Sequence, residues 1–545
     1  MNRRFTLFAV ILIVIGAIVG GLFGRMPART SAESGMTTER LLADYEEALK
    51  VIDNGYVGTV DHEEVADSAM QSMLWTLDPH SSFFTREEFR KLDEDQSSQF
   101  YGIGVSILQH RDGVYVQSVI PNTPADKAGL RYGDRILTVA GKDAKEWTSG
   151  EVSKNVRGER GTAVKIQIER VDNPKPLDYE IVRGGVPLPS IRNFFMLPNS
   201  IGYVGLTGGF QQTTSEELST AIADLKKRGM KSLILDLRGN PGGILEQAIA
   251  VVSKFVPGGQ TVVSVKGSGG GEARDLRSTG GSTENFPLVV MINGGSASAS
   301  EIVAGAIQDY GRGLIVGSDS FGKGLVQRVF RLPYGTGLTL TTARYYTPFG
   351  RSLQRDYSSG SIYDYYSHEE ASVTSESDVK PKPAGSPVTT ANGRVLFGGR
   401  GIEPDVAAPG AAPNPLRARI NEAAFYFVRQ VVAGKVNGLE SFKVDKQSFK
   451  PTLQTNEFNV SDRIFTAFRE FAVSDKKSGL TAENIANQSE YARRRLREEI
   501  ATANYSTEAG IQVLLEADPQ VLKAIDSMPK AGELVASFVQ YRTLN

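Results

Sequence analysis

A serine and a lysine, each beside glycines or other small residues, are the side chains best placed for covalent chemistry in this 545-residue sequence. Ser298 follows the apolar run Leu288–Ile292 and a turn of small residues, and it begins a predicted helix. A hydroxyl there would lie beside the free N–H groups of a helix N-terminus, which stabilise a negatively charged oxygen. Lys323 lies between two glycines, and burial of a lysine favours the neutral amine that can accept a serine proton. The two residues therefore predict nucleophilic chemistry by an activated serine.

Other chemistries are excluded by composition or by spacing. There is no cysteine, which rules out thiolate nucleophiles, disulfides, Cys-ligated zinc and iron–sulfur clusters. The four histidines are scattered, so we expect no metal site, no cofactor and no histidine triad. Residues 317–324 fit the GxxxxGK pattern of a phosphate loop, but they lack its final Ser or Thr and precede a predicted strand. A net charge of −1 gives no field that would attract nucleic acid.

Strand–turn–helix units must position the serine. The sequence predicts apolar strands and helices in alternation, with strands at 201–206, 232–237 and 288–292 and helices at 214–228, 244–255 and 298–310. Such alternation forms a largely parallel sheet whose reactive groups gather at the carboxyl ends of its strands. The glycine-rich turn that contains Gly242 and Gly243 and the turn before Ser298 are therefore expected to build one site.

A β-rich module at residues 96–172 precedes this core. It contains the segment Tyr101, Gly102, Ile103, Gly104, and then an Ala-Gly-Leu turn at 128–130 with Gly-Asp at 133–134. These two motifs resemble those of PDZ domains. In such a loop, backbone N–H groups bind a terminal carboxylate, and the adjoining strand edge pairs with the peptide. The resemblance implies that residues 101–104 bind the C-terminal tails of other proteins.

Further motifs extend the resemblance over most of the chain, at residues 293–301, 320–327, 341–348, 350–353 and 401–405. They are similar to those of the carboxy-terminal processing peptidases, also called tail-specific proteases, in which a PDZ module precedes the protease core. The resemblance implies Ser298 as nucleophile, Lys323 as general base and Gln327 as the residue that orients the lysine. It also implies a crotonase-like (ClpP/crotonase) α/β core.

The resemblance implies backbone roles as well. The oxyanion hole would consist of the N–H groups of Ala299 and of Gly242 or Gly243. Arg157 lies where the PDZ module of the family faces the protease core, so a role in coupling the two domains is implied.

Residues next to the serine have simpler explanations. Ser296 and Ser300 flank Ser298. Because serine is a common helix N-cap, any one of the three could be merely a cap, and residue type alone does not show which is the nucleophile. Glu301 and Asp309 follow on the same predicted helix, where structural or salt-bridging roles are expected.

The first 25 residues are typical of a membrane segment. Arg3 and Arg4 precede a charge-free apolar run at 5–24, which is long enough to cross a bilayer, and the arginines would remain cytoplasmic. We predict a transmembrane anchor at 1–25, with a cleaved signal peptide as the alternative. Either places the rest of the chain outside the cytoplasm, on the periplasmic side of the inner membrane or secreted to the periplasm.

The remaining segments complete a multidomain α+β organisation. We predict a small helical segment at 37–95, a protease core at 173–410 and a helical C-terminal extension at 411–545. Residues 355–393 are predicted to be a long exposed loop inserted in the core. The extension is a candidate for oligomerisation or partner docking.

The predicted function is that of an extracytoplasmic serine endopeptidase. It would bind C-terminal tails of protein substrates and cleave near the C-terminus through an acyl-enzyme. An adaptor or regulatory partner and a homo-oligomer are further expected partners. The alternatives are a catalytically silent PDZ scaffold and a crotonase-like acyl-transfer enzyme, which dependence on coenzyme A would reveal.

Overall fold

The structure is a computed structural model that describes residues 37–96, 99–267, 274–358, 365, 385–390, 393–454 and 456–544. The chain divides into two compact units, residues 1–70 and 71–545. The described part of the first unit contains α1 (Thr38–Gly55) and the beginning of α2 (His62–Trp75). Thr37 caps α1, because its side chain accepts a hydrogen bond from the N–H of Arg40.

The membrane segment predicted at residues 1–25 lies outside the residues that the structure describes. Among the helices of the described ranges, none is both long and apolar enough to cross a membrane. The anchor and its alternative, a cleaved signal peptide, therefore stay predictions.

The PDZ-like domain follows a lead-in of β1 (Ser82–Phe84) and α3 (Arg86–Gln96). Its elements are β2 (Gln99–Gly102), β3 (Val105–His110), β4 (Gly113–Val119), α4 (Pro124–Ala128), β5 (Arg135–Val139), β6 (Lys142–Asp143), α5 (Ser149–Val156), β7 (Ala163–Glu169), β8 (Leu177–Val182) and β9 (Gly184–Pro187). The main sheet is antiparallel with the order β3-β4-β5-β7-β8, so β3 is an edge strand, and β2 pairs separately with β9. The predicted boundary at residue 172 is wrong, because β8 and β9 lie beyond it and pair with β7 and β2.

The core is built from the following elements: β10 (Ile191–Leu197), β11 (Ile201–Leu206), α6 (Thr214–Lys227), β12 (Ser232–Asp236), α7 (Leu245–Val252), β13 (Thr261–Gly267), β14 (Arg274–Arg277), β15 (Leu288–Ile292), α8 (Ala299–Asp309), β16 (Leu314–Gly317), β17 (Leu325–Arg331), β18 (Gly337–Tyr346), β19 (Val388–Thr389), β20 (Val395–Leu396) and β21 (Val406–Ala407). The helix predicted at 244–255 is shorter, since α7 ends at Val252.

The central sheet has the order β10-β11-β12-β15-β16-β21, and every pair except β10 with β11 is parallel. Every residue of β12 and β15 is buried, because successive side chains enter two different hydrophobic clusters. Val290 packs with residues of α8, whereas Met291 packs on the opposite face with residues near the end of the chain. Burial on both faces explains why these strands are continuous apolar runs.

A second, antiparallel sheet has the order β1-β18-β13-β14, with β17 also paired to β18. β17 begins two residues after Lys323 and forms a long hairpin with β18. The hairpin therefore adjoins the lysine segment.

The C-terminal extension is helical, as α9 (Pro415–Val432), α10 (Asp462–Ser474), α11 (Ala482–Asn487), α12 (Ser489–Asn504), α13 (Thr507–Leu515), α14 (Pro519–Asp526) and α15 (Met528–Leu544). Tyr115 and Tyr132 of the PDZ-like domain belong to the same hydrophobic cluster as α9, α10 and α12. The last two helices cover the central sheet instead, through residues that include Val521 and Ala531. The extension therefore packs against both the PDZ-like domain and the core.

Candidate active site

Ser298 lies between β15 and α8, at the carboxyl end of a central parallel strand. Its backbone has φ +54° and ψ −113°, which is an uncommon conformation for a residue with a side chain. The residue is half-buried. The turn therefore holds the serine at the sheet edge where the sequence placed the site.

The two flanking serines have structural hydroxyls. Ser296 and Ser300 are fully buried, and their Oγ atoms donate to the carbonyls of Leu237 at 2.8 Å and Asn240 at 2.9 Å. Both bonds join the serine turn to the glycine-rich turn after β12. Of the three serines, Ser298 is the one that is not fully buried.

Glu301 is the centre of the site, fully buried with four donors on its carboxylate. Oε2 accepts the backbone N–H groups of Ser298 and Lys323, each at 2.8 Å. Oε1 accepts the hydroxyl of Ser320 at 2.5 Å and the N–H of Gly322 at 2.6 Å. Burial raises the pKa of Glu301, whereas these donors favour its ionised form. One carboxylate thus joins the serine turn to the lysine segment.

Lys323 is held by a chain of side-chain and backbone contacts. Its Nζ donates to Gln327 Oε1 at 2.9 Å, and Gln327 Nε2 donates to the carbonyl of His80. Burial lowers the pKa of the Lys323 ammonium, while the nearby carboxylates of Glu301 and Asp78 oppose that shift. The dominant effect favours a neutral amine, which is the form that accepts a proton.

The serine and the lysine are close without being hydrogen-bonded. Their backbone nitrogens share one Glu301 oxygen, so they are at most twice 2.8 Å apart. Across the part of the chain that the structure describes, no hydrogen bond joins Lys323 Nζ to Ser298 Oγ. In this structure the lysine amine therefore bonds to Gln327 and not to the serine.

The two glycines predicted for the oxyanion hole, Gly242 and Gly243, differ in whether their N–H groups already have an acceptor. The N–H of Gly242 donates to Asn240 Oδ1 at 2.9 Å, so in this structure it already has an acceptor. A Cβ at Gly242 would lie 2.7 Å from Ser298 Cβ, which explains why only glycine fits. The N–H groups of Gly243 and Ala299 donate to no other residue that the structure describes. They are the available pair of donors.

The predicted tail-binding segment combines a strand and a turn. Tyr101 and Gly102 belong to β2, while Ile103 and Gly104 lead into the edge strand β3. Gly104 has φ +89°, and a Cβ there would be 2.3 Å from Thr123 Cβ, so glycine is required. The N–H groups of Ile103 and Gly104 donate to no residue within the described ranges. They can therefore donate hydrogen bonds to a carboxylate ligand.

Arg157 stays within the PDZ-like domain. It follows α5, and its guanidinium lies 4.2 Å from the centroid of the Phe100 ring. Between Arg157 and the described core residues there is no hydrogen bond or ion pair. Its coupling role stays a prediction.

Several residues that position the site were missed from sequence. Asn240 is fully buried and bridges the strands, since its Nδ2 donates to the carbonyl of Leu206 at 2.7 Å. Asp78 Oδ1 accepts the N–H groups of His80 and Ser81, which shapes the turn that presents the His80 carbonyl. The Asn-Pro-Gly-Gly turn was a visible signal for Asn240, whereas nothing local in the sequence connects Asp78 to a lysine far along the chain.

Comparison with known proteins places the chain in a family. Residues 102–181 match the PDZ domain, and residues 200–365 match Peptidase family S41. The carboxy-terminal-processing protease of Bartonella bacilliformis is 36% identical over 350 residues, covering 63% of this chain and 80% of the relative. The chain belongs to the carboxy-terminal processing proteases. This protease of family S41 is therefore a serine peptidase with a PDZ domain, as predicted.

Two other members are similar to this carboxy-terminal processing protease. CtpA of Bacillus subtilis is 32% identical over 360 residues, which are 65% of this chain and 76% of the relative. Among solved structures, the photosystem II D1 C-terminal processing protease is 27% identical with a TM-score of 0.36. That match covers 68% of this chain and 94% of the other.

Proposed function

We propose that this carboxy-terminal processing protease cleaves peptide bonds with Ser298 as nucleophile and Lys323 as general base. The observation that carries the proposal is the 2.9 Å bond from Lys323 Nζ to Gln327 Oε1, made by a buried lysine whose backbone shares a carboxylate with Ser298. A buried amine beside a serine at a helix N-terminus supplies both the base and the nucleophile.

The chemistry proceeds in two stages. Ser298 Oγ attacks the peptide carbonyl carbon as its proton passes to Lys323 Nζ, and the N–H groups of Ala299 and Gly243 stabilise the oxyanion. The lysine then gives the proton to the departing amine, which leaves an acyl-enzyme. Water, activated by Lys323, attacks the ester and releases the shortened substrate. Because the two side chains are not hydrogen-bonded in this structure, substrate binding is proposed to bring Nζ to Oγ.

Substrate recognition is proposed to occur in the PDZ domain. The free N–H groups of Ile103 and Gly104 would bind a terminal carboxylate, and the open edge of β3 would pair with the tail. α5 packs beside β3 and supplies the buried Val152 and Val156 to the hydrophobic cluster next to this groove. The ligand proposed is therefore a protein C-terminus that ends in an apolar residue.

An extracytoplasmic location, with residues 1–25 as an anchor or a cleaved signal, is proposed on the basis of the two arginines and the apolar run that follows them. Protease protection of the intact protein in spheroplasts would test it, since a cytoplasmic enzyme would resist added proteinase until the membrane is broken.

The catalytic proposal is tested by the cleavage of a denatured model protein, with fragments identified by mass. Ser298→Ala and Lys323→Met are expected to abolish cleavage while remaining folded, whereas Lys227→Met, at an exposed helical position, is expected to cleave normally. A Lys323→Met variant that cleaves at the rate of the parent would overturn the assignment of the base.

Tail binding is tested separately with a labelled peptide, presented with a free carboxylate or a C-terminal amide. Fluorescence anisotropy should show binding of the free acid and at least a tenfold loss with the amide, since about 1.4 kcal/mol corresponds to a factor of ten. If the protein binds tails and does not cleave, it is a scaffold.

A further inference from the structure

The long insertion at 355–393 brings a tyrosine into the core. Tyr365 is the one residue of 359–384 that the structure describes, and its side chain is 4% exposed. The prediction of an exposed loop is therefore wrong at this residue. The Tyr365 hydroxyl lies 2.7 Å from His80 Nε2 and accepts a hydrogen bond from Gln354 Nε2 at 3.1 Å.

The contact between Tyr365 and His80 connects, through Gln327, to the side chain of Lys323. The ring of His80 bonds to Tyr365, and the backbone carbonyl of the same His80 accepts Gln327 Nε2. Gln327 Oε1 in turn accepts Lys323 Nζ. Asp78 Oδ1 accepts the N–H of His80 at 2.8 Å, so the backbone beside this carbonyl is held as well. Burial, together with the charges of Lys323 and Arg355, lowers the pKa of His80 to about 4, so its ring is neutral at neutral pH.

The contact between Tyr365 and Gln354 connects to the backbone next to Lys323. Gln354 donates to Tyr365 through Nε2, and its Oε1 accepts the N–H of Gly324 at 2.9 Å. Gly324 directly follows Lys323. A Cβ at Gly324 would lie 2.5 Å from the backbone nitrogen of Gln354, so the two backbones are in close contact. The Tyr365 hydroxyl thus begins two separate sets of contacts, one that leads through His80 and Gln327 to the Lys323 amine and one that ends at the backbone N–H of Gly324, the next residue.

The ring of Tyr365 makes packing contacts that do not depend on its hydroxyl. It packs edge-on against His80 and Phe321, with centroid distances of 5.2 Å and 5.9 Å. The Arg355 guanidinium lies 4.0 Å from the Phe321 ring centroid and 5.3 Å from that of Tyr365. Replacing the tyrosine by phenylalanine would remove the hydroxyl and leave these ring contacts in place.

We propose that Tyr365 is a positioning residue for Lys323. The hydroxyl holds the orienting residue Gln327 through His80 and holds the backbone next to the lysine through Gln354. This inference rests on the proposed role of Lys323 as general base. Tyr365 itself touches neither Ser298 nor the lysine amine in the described contacts, so its effect is expected on the alignment and hydration of the base.

The test measures how fast Ser298 reacts with diisopropyl fluorophosphate as a function of pH, using intact mass to count labelled protein. Ser298 Oγ displaces fluoride from phosphorus as its proton passes to the base. A saturating C-terminal peptide is present throughout, because substrate binding is proposed to bring Nζ to Oγ. Tyr365→Phe in the full-length protein is expected to lower the rate at neutral pH by about 10- to 100-fold, the loss typical of a misplaced catalytic group.

The pH profile separates positioning from a general structural role. If the lysine loses its alignment, water reaches the amine, its charged form is better solvated, and the midpoint of the rate profile moves to higher pH. Tyr357→Phe is the matched control, because this neighbouring ring lies 6.3 Å from Tyr365 and its hydroxyl has no hydrogen bond among the described residues. It should keep the parental rate and midpoint.

The outcomes distinguish the two levels of the proposal. If the parent is not labelled at Ser298, or if Lys323→Met reacts as fast as the parent, the Ser–Lys mechanism itself fails. If the parent is labelled, Lys323→Met is slow and Tyr365→Phe keeps the parental rate and midpoint, the role of Tyr365 is overturned. Should Tyr365→Phe fail a thermal-melting check, Gln354→Met interrupts the second set of contacts, and a parental rate and midpoint in that variant would equally overturn the inference.

Discussion

The substitution Glu301→Gln tests the central feature of the site, one carboxylate that joins the segments of the proposed nucleophile and the proposed base. The side chains have nearly the same shape, but the carboxylate has two acceptor oxygens and the amide has one. Glu301 accepts four donors in a fully buried position. The amide NH₂ group must therefore face one pair of donors, whichever way it is turned.

The expected cost follows from those two orientations. If the amide nitrogen faces Ser320 and Gly322, the serine hydroxyl can rotate to accept from it, and one backbone N–H is left unpaired. If the nitrogen faces Ser298 and Lys323, two backbone N–H groups are left unpaired. A buried donor without a partner costs about 1–3 kcal/mol, so we expect a loss of about 1–6 kcal/mol in the free energy of unfolding.

The loss should also appear in catalysis. In the less costly orientation the amide oxygen still joins the two segments, but the N–H that loses its acceptor is that of Gly322, which directly precedes Lys323. A displacement of the lysine by about 1 Å costs on the order of 100-fold in rate. We would measure urea unfolding and kcat/KM on the same preparations, with Glu246→Gln as control because Glu246 is exposed on α7. If Glu301→Gln is as stable as the parent and cleaves at the parental rate, the reasoning about the shared carboxylate is wrong.

Two further predictions concern pH. Asp78→Asn removes a negative charge that raises the pKa of Lys323, so the profile of cleavage rate against pH should move to lower pH; an unchanged profile would contradict this. Glu498 is buried beside Glu499 and Arg495, and burial raises its pKa from an ordinary 4.5 to about 8. Since a raised carboxyl pKa stabilises the fold only while the group is protonated, stability should fall as pH rises from about 4.5 to about 8, and Glu498→Gln should flatten that slope in urea midpoints. If the stability of Glu498→Gln still falls with rising pH as steeply as that of the parent, Glu498 is not the group responsible.

Much of the core followed from local sequence. The strands around 234 and 290 are continuous apolar runs because helices cover both faces of the sheet, and that pattern is readable without the fold. The position of Ser298 at the carboxyl edge was predictable because small residues after such a strand, followed by a helical pattern, form a turn there. The PDZ segment was equally local, since Gly104 is required by its own backbone conformation.

Other features depended on which residues meet in space. Gly242 and Gly243 are adjacent and chemically identical, and only the side chain of Asn240 determines which N–H is occupied. The boundary after residue 172 was wrong because strand pairing of 177–187 with earlier strands leaves no local mark at that point.

The sequence by itself determined the family and the order of domains and predicted the serine and the lysine, because these reside in short motifs whose conformations are set by neighbouring residues. Only the tertiary structure decided how the lysine is held, because its supports come from distant segments. Gln327 bonds to a carbonyl 247 residues earlier in the chain, and Tyr365 reaches His80 across 285 residues. Such contacts are decided by the packing of whole elements, which no local pattern of residues specifies.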